Sequence, residues 1–306
     1  MPRATGNRCE DVVCLVAPFK GGIVFHPFSR RSLFQPMMIT STSYLEILDR
    51  IRGGLNVAAR AVAPYAMGQT SVSFKSGDDP VTEADRLLDG LLRDFLVRDG
   101  EGWLSEETQD DLNRLDKSKV WIVDPLDGTR EFVQHIPEWC ISIAYVENGT
   151  PIAGGICNPA TGEMFLGSLE TGVTLNGEKV RVSNRDTLTG ATVLASRSEL
   201  KRGDWQALGN TPFEVTAMGS VAYKLARVAA GLADATWTLV PKHEWDIAAG
   251  AALVNSAGGL TCLLDRTPVA FNSRDCLLPH FLASSPQLAG QIEAFLEQSS
   301  PTAKIG

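Results

Sequence analysis

The stretch 120-VWIVDPLDGTREF-132 runs from four apolar residues straight onto a carboxylate, Asp124, and reaches a second at Asp127. Two acids that close repel each other unless something positive sits between them. Carboxylates arriving with a backbone carbonyl suit Mg²⁺ or Mn²⁺, which prefer carboxylate, carbonyl and water ligands. Aspartates three apart at a strand-to-helix turn can face one cavity, with the Leu126 carbonyl exposed between them. Pro125 sets the turn, and Gly128 lets the backbone approach a ligand closely. Thr129 then opens a short helix whose free N–H groups suit a phosphate. The chemistry indicated is cation-assisted reaction of an anionic substrate.

Three more stretches place acids where packing does not need them: Glu106 and Glu107 in 105-SEET-108, Asp246 in 245-WD-246, and Asp85 at the end of 81-VTEAD-85. Each has a plain structural reading. Asp85, three after Thr82, fits a capping box. Asp246 complements a helix dipole. Glu106 and Glu107 read as a solvated pair in a loop. Their conjunction with Asp124 and Asp127 points instead to hard oxygen ligands converging from separate segments. Competing chemistries lack their signatures: there is no GxxxxGK[ST] phosphate loop and no GxSxG elbow. The four histidines, His26, His135, His243 and His280, have no HExxH spacing, and 124-DPLDGT-129 lacks the alternate acids of an EF-hand.

The elements that must position these residues follow from periodicity. Leu45, Leu48, Ile51, Leu55, Ala58, Ala59 and Val62 recur at three and four, predicting a long amphipathic helix over 44–67. A second begins at Thr82 and buries Leu88, Leu91, Leu92, Phe95 and Leu96. Between them 71-SVSFK-75 is a strand or ordered loop. Strands are expected at 103–105, 120–124, 140–147, 152–157 and 163–167, with turns at Asn148-Gly149, Asn158-Pro159 and Asn176-Gly177, the last flanked for a hairpin. Such spacing suggests a mainly antiparallel sheet. Beyond about residue 183 strands (192–196, 235–240, 260–264) alternate with helices (219–231, 246–259, 286–298). The expected class is layered α/β (α+β) in two halves, 38–182 and 183–300, behind an extension over 1–37.

Hydrophobic residues at 44% and charged residues at 21% are ordinary for a soluble globular chain. A net charge of −8 argues against a nucleic-acid polymer or membrane surface as partner. An acidic protein still binds an anionic substrate if cations bridge the two. Six cysteines without a CxxC pair read as reduced thiols of a cytoplasmic protein. No apolar run approaches the roughly 18 residues of a membrane span. The apolar run 12-VVCLVAPF-19 follows Glu10 and Asp11 and reads as part of a loosely ordered extension rather than a signal peptide.

The signatures 105-SEET-108, 124-DPLDGT-129 and 245-WDIAAG-250, with 79-DPVTEAD-85 upstream, resemble the inositol monophosphatase superfamily of Mg²⁺-dependent, lithium-sensitive phosphomonoesterases. The likeness runs from about Met38 to Pro286. It implies an αβαβα sandwich of the sugar-phosphatase type, with a mainly antiparallel N-terminal sheet and a mixed C-terminal one. It also implies two or three Mg²⁺ per site, with Mn²⁺ as an alternative. Glu106, Asp124 and the Leu126 carbonyl would hold the first metal, and Asp124, Asp127 and Asp246 the second. Asp85 would orient waters on a third, weaker one and polarise the Thr129 hydroxyl. The N–H groups of Gly128 and Thr129 would hold the phosphate, and a metal-activated water would attack it without a covalent intermediate. Many such relatives look like homodimers.

For the substrate, 128-GTREF-132 is similar to bacterial 3'(2'),5'-bisphosphate nucleotidases, as are 196-SRS-198, which contains Ser196, and Lys224. That likeness implies adenosine 3',5'-bisphosphate, with Lys224 on the second phosphate. The spacing of 219-GSVAYKLARVAAGLADA-235 is more like an inositol monophosphatase, so inositol-1-phosphate or a related sugar phosphate stands as the alternative. A non-catalytic binding member of the fold is a third reading. Taken singly, Lys224 and Arg197 read as solvated charges, and Lys242, His243 and Glu244 either line the substrate side or form a polar loop.

Overall fold

The structure, a computed structural model, describes residues 41–66, 72–74 and 80–299. The extension over 1–37, with Cys9 and Cys14, lies outside the described residues, as do Met67 and Asp79. The helices are α1 (Ser41–Ala66), α2 (Glu83–Leu96), α3 (Thr129–Val133), α4 (Arg197–Arg202), α5 (Val221–Ala229), α6 (Glu244–Ser256) and α7 (Pro286–Ser299). Strands β1 (Val72–Phe74) and β2 (Pro80–Thr82) form a small ribbon.

A seven-stranded sheet joins β3 (Gly102–Ser105), β4 (Lys119–Asp127), β5 (Cys140–Glu147), β6 (Thr150–Asn158), β7 (Glu163–Ser168), β8 (Gly172–Leu175) and β9 (Glu178–Val180) in sequence order. Only the β3–β4 pair is parallel. Asn148-Gly149 and Asn176-Gly177 turn the chain with positive φ at both residues, the geometry that two-residue hairpins require.

A five-stranded sheet joins β10 (Thr192–Ser196), β11 (Glu214–Met218), β12 (Ala235–Thr238), β14 (Leu260–Cys262) and β16 (Phe281–Ser284) in the order β11-β10-β12-β16-β14. It is mixed, parallel at β10 and antiparallel around β16. The two-residue strands β13 (Lys242–His243) and β15 (Leu277–Leu278) pair separately.

Three hydrophobic cores make this a five-layer sandwich. The first lies between α1, α2 and the large sheet, the second between the two sheets around α5 and α6, and the third outside the small sheet against α7. Both faces of the large sheet are covered, which is why β4 reads as a continuous apolar run. Val120 and Ile122 face the central helices, while Trp121 and Val123 face α1 and α2. Helix α6, between two sheets, has no polar side to show, and Ile247, Ala248, Ala249, Ala251 and Ala252 are all fully buried. Its residues are small because its neighbours are close. A Cβ on Gly250 would lie 2.3 Å from Leu225 Cβ.

Most expected elements stand within a few residues of their places. Leu45, assigned to the buried side of α1, is instead 55% exposed. Strands β8 and β9 form the hairpin expected around Asn176-Gly177. The short strands β11, β15 and β16 and helix α4 were not expected, because segments this short carry no readable period. Cys140, Cys157, Cys262 and Cys276 are free and buried. No helix among the described residues is long and apolar enough to cross a membrane.

Glu101 ties the first two layers together. Its carboxylate accepts from Arg50 at 2.9 and 2.6 Å and from the Trp121 indole N–H at 2.8 Å. The Arg50 guanidinium also lies over the Trp121 ring and donates to the Leu96 carbonyl. Burial pushes the Glu101 carboxyl up, but hydrogen bonds from Arg50 and Trp121 outweigh it and hold it below its ordinary value. Removing one partner of a buried pair leaves the other charge uncompensated. Glu101→Ala should therefore cost about 3 kcal/mol in urea unfolding. A carboxyl whose folded pKa is depressed contributes stability above its unfolded pKa and loses it as pH falls through the folded value. The gap between wild type and variant should accordingly be full at pH 7 and close in the acid range.

Candidate active site

In a regular strand, residues three apart point to opposite faces. Asp124 follows Val120 and Ile122 onto the face of the central helices, and Asp127 would turn away from them. The register with β5 prevents this. Asp124 is opposite Ser142 and Asp127 opposite Cys140, so three steps on β4 match two on β5. The extra residue is a β-bulge at Pro125-Leu126, which brings both carboxylates to one face while Leu126 packs on the other. Pro125 has no N–H to give a ladder, and a bulge is where a strand tolerates that. The strand thus continues to Asp127 rather than ending at Asp124, and the turn into α3 falls at Gly128, with φ of 95°. A Cβ there would come within 2.9 Å of the Glu138 carbonyl oxygen, so both conformation and space call for glycine.

Asp246 arrives on the first turn of α6, where its carboxylate accepts from the His243 backbone N–H at 3.0 Å. The helix-terminus role read for it in isolation is present. The same side chain completes a cluster: Asp124, Asp127 and Asp246 each offer a carboxylate oxygen within 4.8 Å of the others. Glu106, Asp124, Leu126, Asp127, Gly128, Thr129, Ser196, Lys224, Lys242 and Asp246 line one cavity of about 180 Å³ around this cluster, whereas Asp85, Glu107, Arg197, His243 and Glu244 are not in its lining. Asp85 is buried behind Thr129, whose Oγ1 lies 3.2 Å from Asp85 Oδ1 and 3.1 Å from the Leu126 carbonyl oxygen.

Burial pushes the Asp124 carboxyl well up, and the charges of Glu106, Asp127 and Asp246 push it further. Asp246 is raised well by burial, then by Asp127 and Glu106, with Lys242 opposing. Burial also raises Asp127, but its Oδ2 accepts from Ser220 Oγ at 2.7 Å and from the Ala222 N–H at 2.6 Å, and Lys224 and Lys242 pull it back. Asp124 Oδ1 accepts from the Leu126 N–H, whereas the buried Oδ2 has no hydrogen-bond partner. An orphaned carboxylate oxygen is costly. Glu106, Asp124 with its unserved oxygen, Asp127 and Asp246, with the Leu126 backbone carbonyl among them, form a hard oxygen donor set that fits a divalent cation.

The cationic side differs from expectation. Lys224 is only 1% exposed, so it is not a solvated charge, and its Nζ donates to the Ser220 carbonyl at 2.9 Å. Burial pulls its ammonium down, and Asp127 holds it up. Arg197 is likewise engaged, with two 2.6 Å bonds to Glu138, which also accepts from the Gly219 N–H. Lys242 is the lysine on the more open side of the cavity, its Nζ 3.8 Å from the buried Glu199 carboxylate. Ser196 lines the cavity beside Ser198, their hydroxyls 2.9 Å apart. Sequence reading missed Ser220, which caps α5 with φ of 55° and positions Asp127. A Gly-Ser pair before a helix signals the cap but not its second partner.

The sequence matches the profile of the Inositol monophosphatase family over residues 50–299. An inositol-1-monophosphatase of Rhizobium meliloti is 36% identical over 197 residues, 61% of this chain and 73% of that protein. Among solved structures, the Thermotoga maritima IMPase superposes with a TM-score of 0.72 at 27% identity, covering 85% of this chain and 100% of the other. CysQ from Bacteroides thetaiotaomicron, a bacterial member of the same family, gives 0.66 at 25% identity over 80% and 99%. The chain belongs to the inositol monophosphatase family and is a metal-dependent phosphatase acting on small phosphate esters.

Asp124→Asn should abolish Mg²⁺-dependent turnover while leaving the fold intact. It also removes the most crowded charge of the cluster, so in EDTA the variant should melt a few degrees above wild type, a gain of about 1 kcal/mol. A phosphate-release assay checks the first, and calorimetry with and without Mg²⁺ checks the second, since the variant should lose the stabilisation that added Mg²⁺ confers.

Proposed function

We propose that the cavity hydrolyses the 3'-phosphate of adenosine 3',5'-bisphosphate, with Mg²⁺ held by Glu106, Asp124, the Leu126 carbonyl, Asp127 and Asp246. The observation that carries the metal assignment is the orphaned Asp124 oxygen inside a cluster of mutually repelling acids. Bound there, Mg²⁺ supplies positive charge opposite the phosphate and lowers the pKa of the attacking water. The backbone N–H groups of Gly128 and Thr129 receive phosphate oxygens at the mouth of α3. Asp85 orients the Thr129 hydroxyl, and that pair or Glu106 takes the proton of the attacking water. Ser196, which lines the same cavity, meets the rest of the ester.

The nucleotide reading draws on the cations beyond the acid cluster. Arg130, Lys224 and Lys242 line the cavity, and Lys224 is buried. Because Lys224 is committed to a backbone carbonyl, contact with a second phosphate falls to Lys242. Inositol-1-phosphate is the second reading, favoured by the name of the Rhizobium relative.

Phosphate release with Mg²⁺, comparing the two substrates at matched concentration with and without Li⁺, separates these readings. Preference for adenosine 3',5'-bisphosphate, inhibited by Li⁺, is expected; preference for inositol-1-phosphate overturns the nucleotide assignment. Hydrogen bonds to charged groups contribute about 1.5–3 kcal/mol. Lys242→Gln should therefore lower kcat/KM for the bisphosphate at least ten-fold more than for inositol-1-phosphate, mainly through KM.

A further inference from the structure

Helix α2 carries two acids one turn apart. Asp85 meets the Thr129 hydroxyl, and Asp89, four residues on and on the same side of the helix, meets a different loop. Its Oδ1 accepts from Ser105 Oγ at 2.5 Å, and its Oδ2 accepts from Thr108 Oγ1 at 2.6 Å. These are the short distances of charge-assisted O–H···O⁻ bonds, roughly twice as strong as neutral ones. Ser105 is 2% exposed, and Thr108 Oγ1 is steadied further by the Trp103 indole N–H at 3.2 Å. Ser105 and Thr108 bracket Glu106 and Glu107. One carboxylate therefore grips both ends of the four-residue segment that carries Glu106 into the cavity.

The apolar side of α2 is supplied by Leu88, Leu92 and Leu96, all fully buried, so packing alone does not account for an acid at 89. Segment 105–108 leaves the sheet at the end of β3 and has no ladder partner of its own beyond Ser105. We propose that Asp89 is a positioning residue for Glu106: by fixing Ser105 and Thr108 it holds the intervening carboxylate at the metal cluster. Asp89 touches neither metal nor substrate in this role. The inference rests on the assignment of Glu106 as a metal ligand. Hydrogen-bonding partners behind ligating side chains typically contribute about 10–100-fold to metal affinity.

Calorimetric titration of the EDTA-treated, dialysed protein with Mn²⁺, without substrate, tests it in wild type, Asp89→Asn, Glu106→Gln and the double variant. Asp89→Asn should weaken Mn²⁺ binding at least ten-fold, with a melting temperature in EDTA within a few degrees of wild type. The double variant should bind no more weakly than Glu106→Gln alone, because the two residues act through one contact. Wild-type affinity in Asp89→Asn beside a weakened Glu106→Gln overturns the role of Asp89 and spares the ligand assignment. Losses that multiply in the double variant overturn it as well, since Asp89 would then act elsewhere. Unchanged affinity in Glu106→Gln overturns the ligand assignment and the inference together. Should Asp89→Asn fail to fold, Ser105→Ala removes the 2.5 Å bond from the other side and is judged by the same outcomes.

Discussion

Like charge gathered in a buried place is the constraint around which this molecule is arranged. Asp124, Asp127 and Asp246 crowd within 4.8 Å, with Glu106 lining the same cavity and adding to the repulsion. Left to themselves, carboxylates in such a setting bind protons or move apart. Here covalent geometry and neighbouring elements hold them in place. The bulge in β4 cannot relax without breaking the ladder with β5, and Ser220 and Ala222 grip Asp127 from the start of α5. Asp246 is tied to the first turn of its own helix. The free energy for this comes from cores that bury α5 and α6 between two sheets. A cation held there, as proposed, would find its ligands already assembled.

The layers explain why acids from distant stretches meet. Asp124 and Asp127 point from the large sheet toward the middle layer, and α6 starts there with Asp246. Helix α6 can lie that close only because it is built of alanine and glycine, with Gly250 against Leu225 and Ala249 against Gly154. On the other side of the sheet, α2 packs against β4 while its polar edge holds the loops bearing Thr129 and Glu106 through Asp85 and Asp89. Stability and chemistry use the same elements but different faces of them.

The cations divide their work by depth. Lys224, buried, fastens the carbonyl of Ser220, a residue with positive φ, and so supports the side chain that positions Asp127. Lys242, nearer the opening and backed by Glu199, remains available to a substrate. Both charges are felt at Asp127, whose carboxyl is raised by burial, whereas those of Asp124 and Asp246 are raised well.

By itself the sequence determined the family, the class of chemistry and most of the long elements. Those depend on local signals: apolar periods in α1 and α2, Asn-Gly turns, and acids at short fixed spacing in 105-SEET-108, 124-DPLDGT-129 and 245-WD-246. Only the tertiary structure decided which acids share a face. A spacing of three in a strand reads as opposite faces, and the bulge that reverses it is set by pairing with β5, which no local pattern records. It also decided that Lys224 is buried rather than solvated, that Ser220 serves Asp127 as well as its helix, and that Asp89 reaches the Glu106 loop. Each of these is a contact between residues at least 16 apart, or the burial that such contacts produce. Chain composition leaves such pairings open until the layers close.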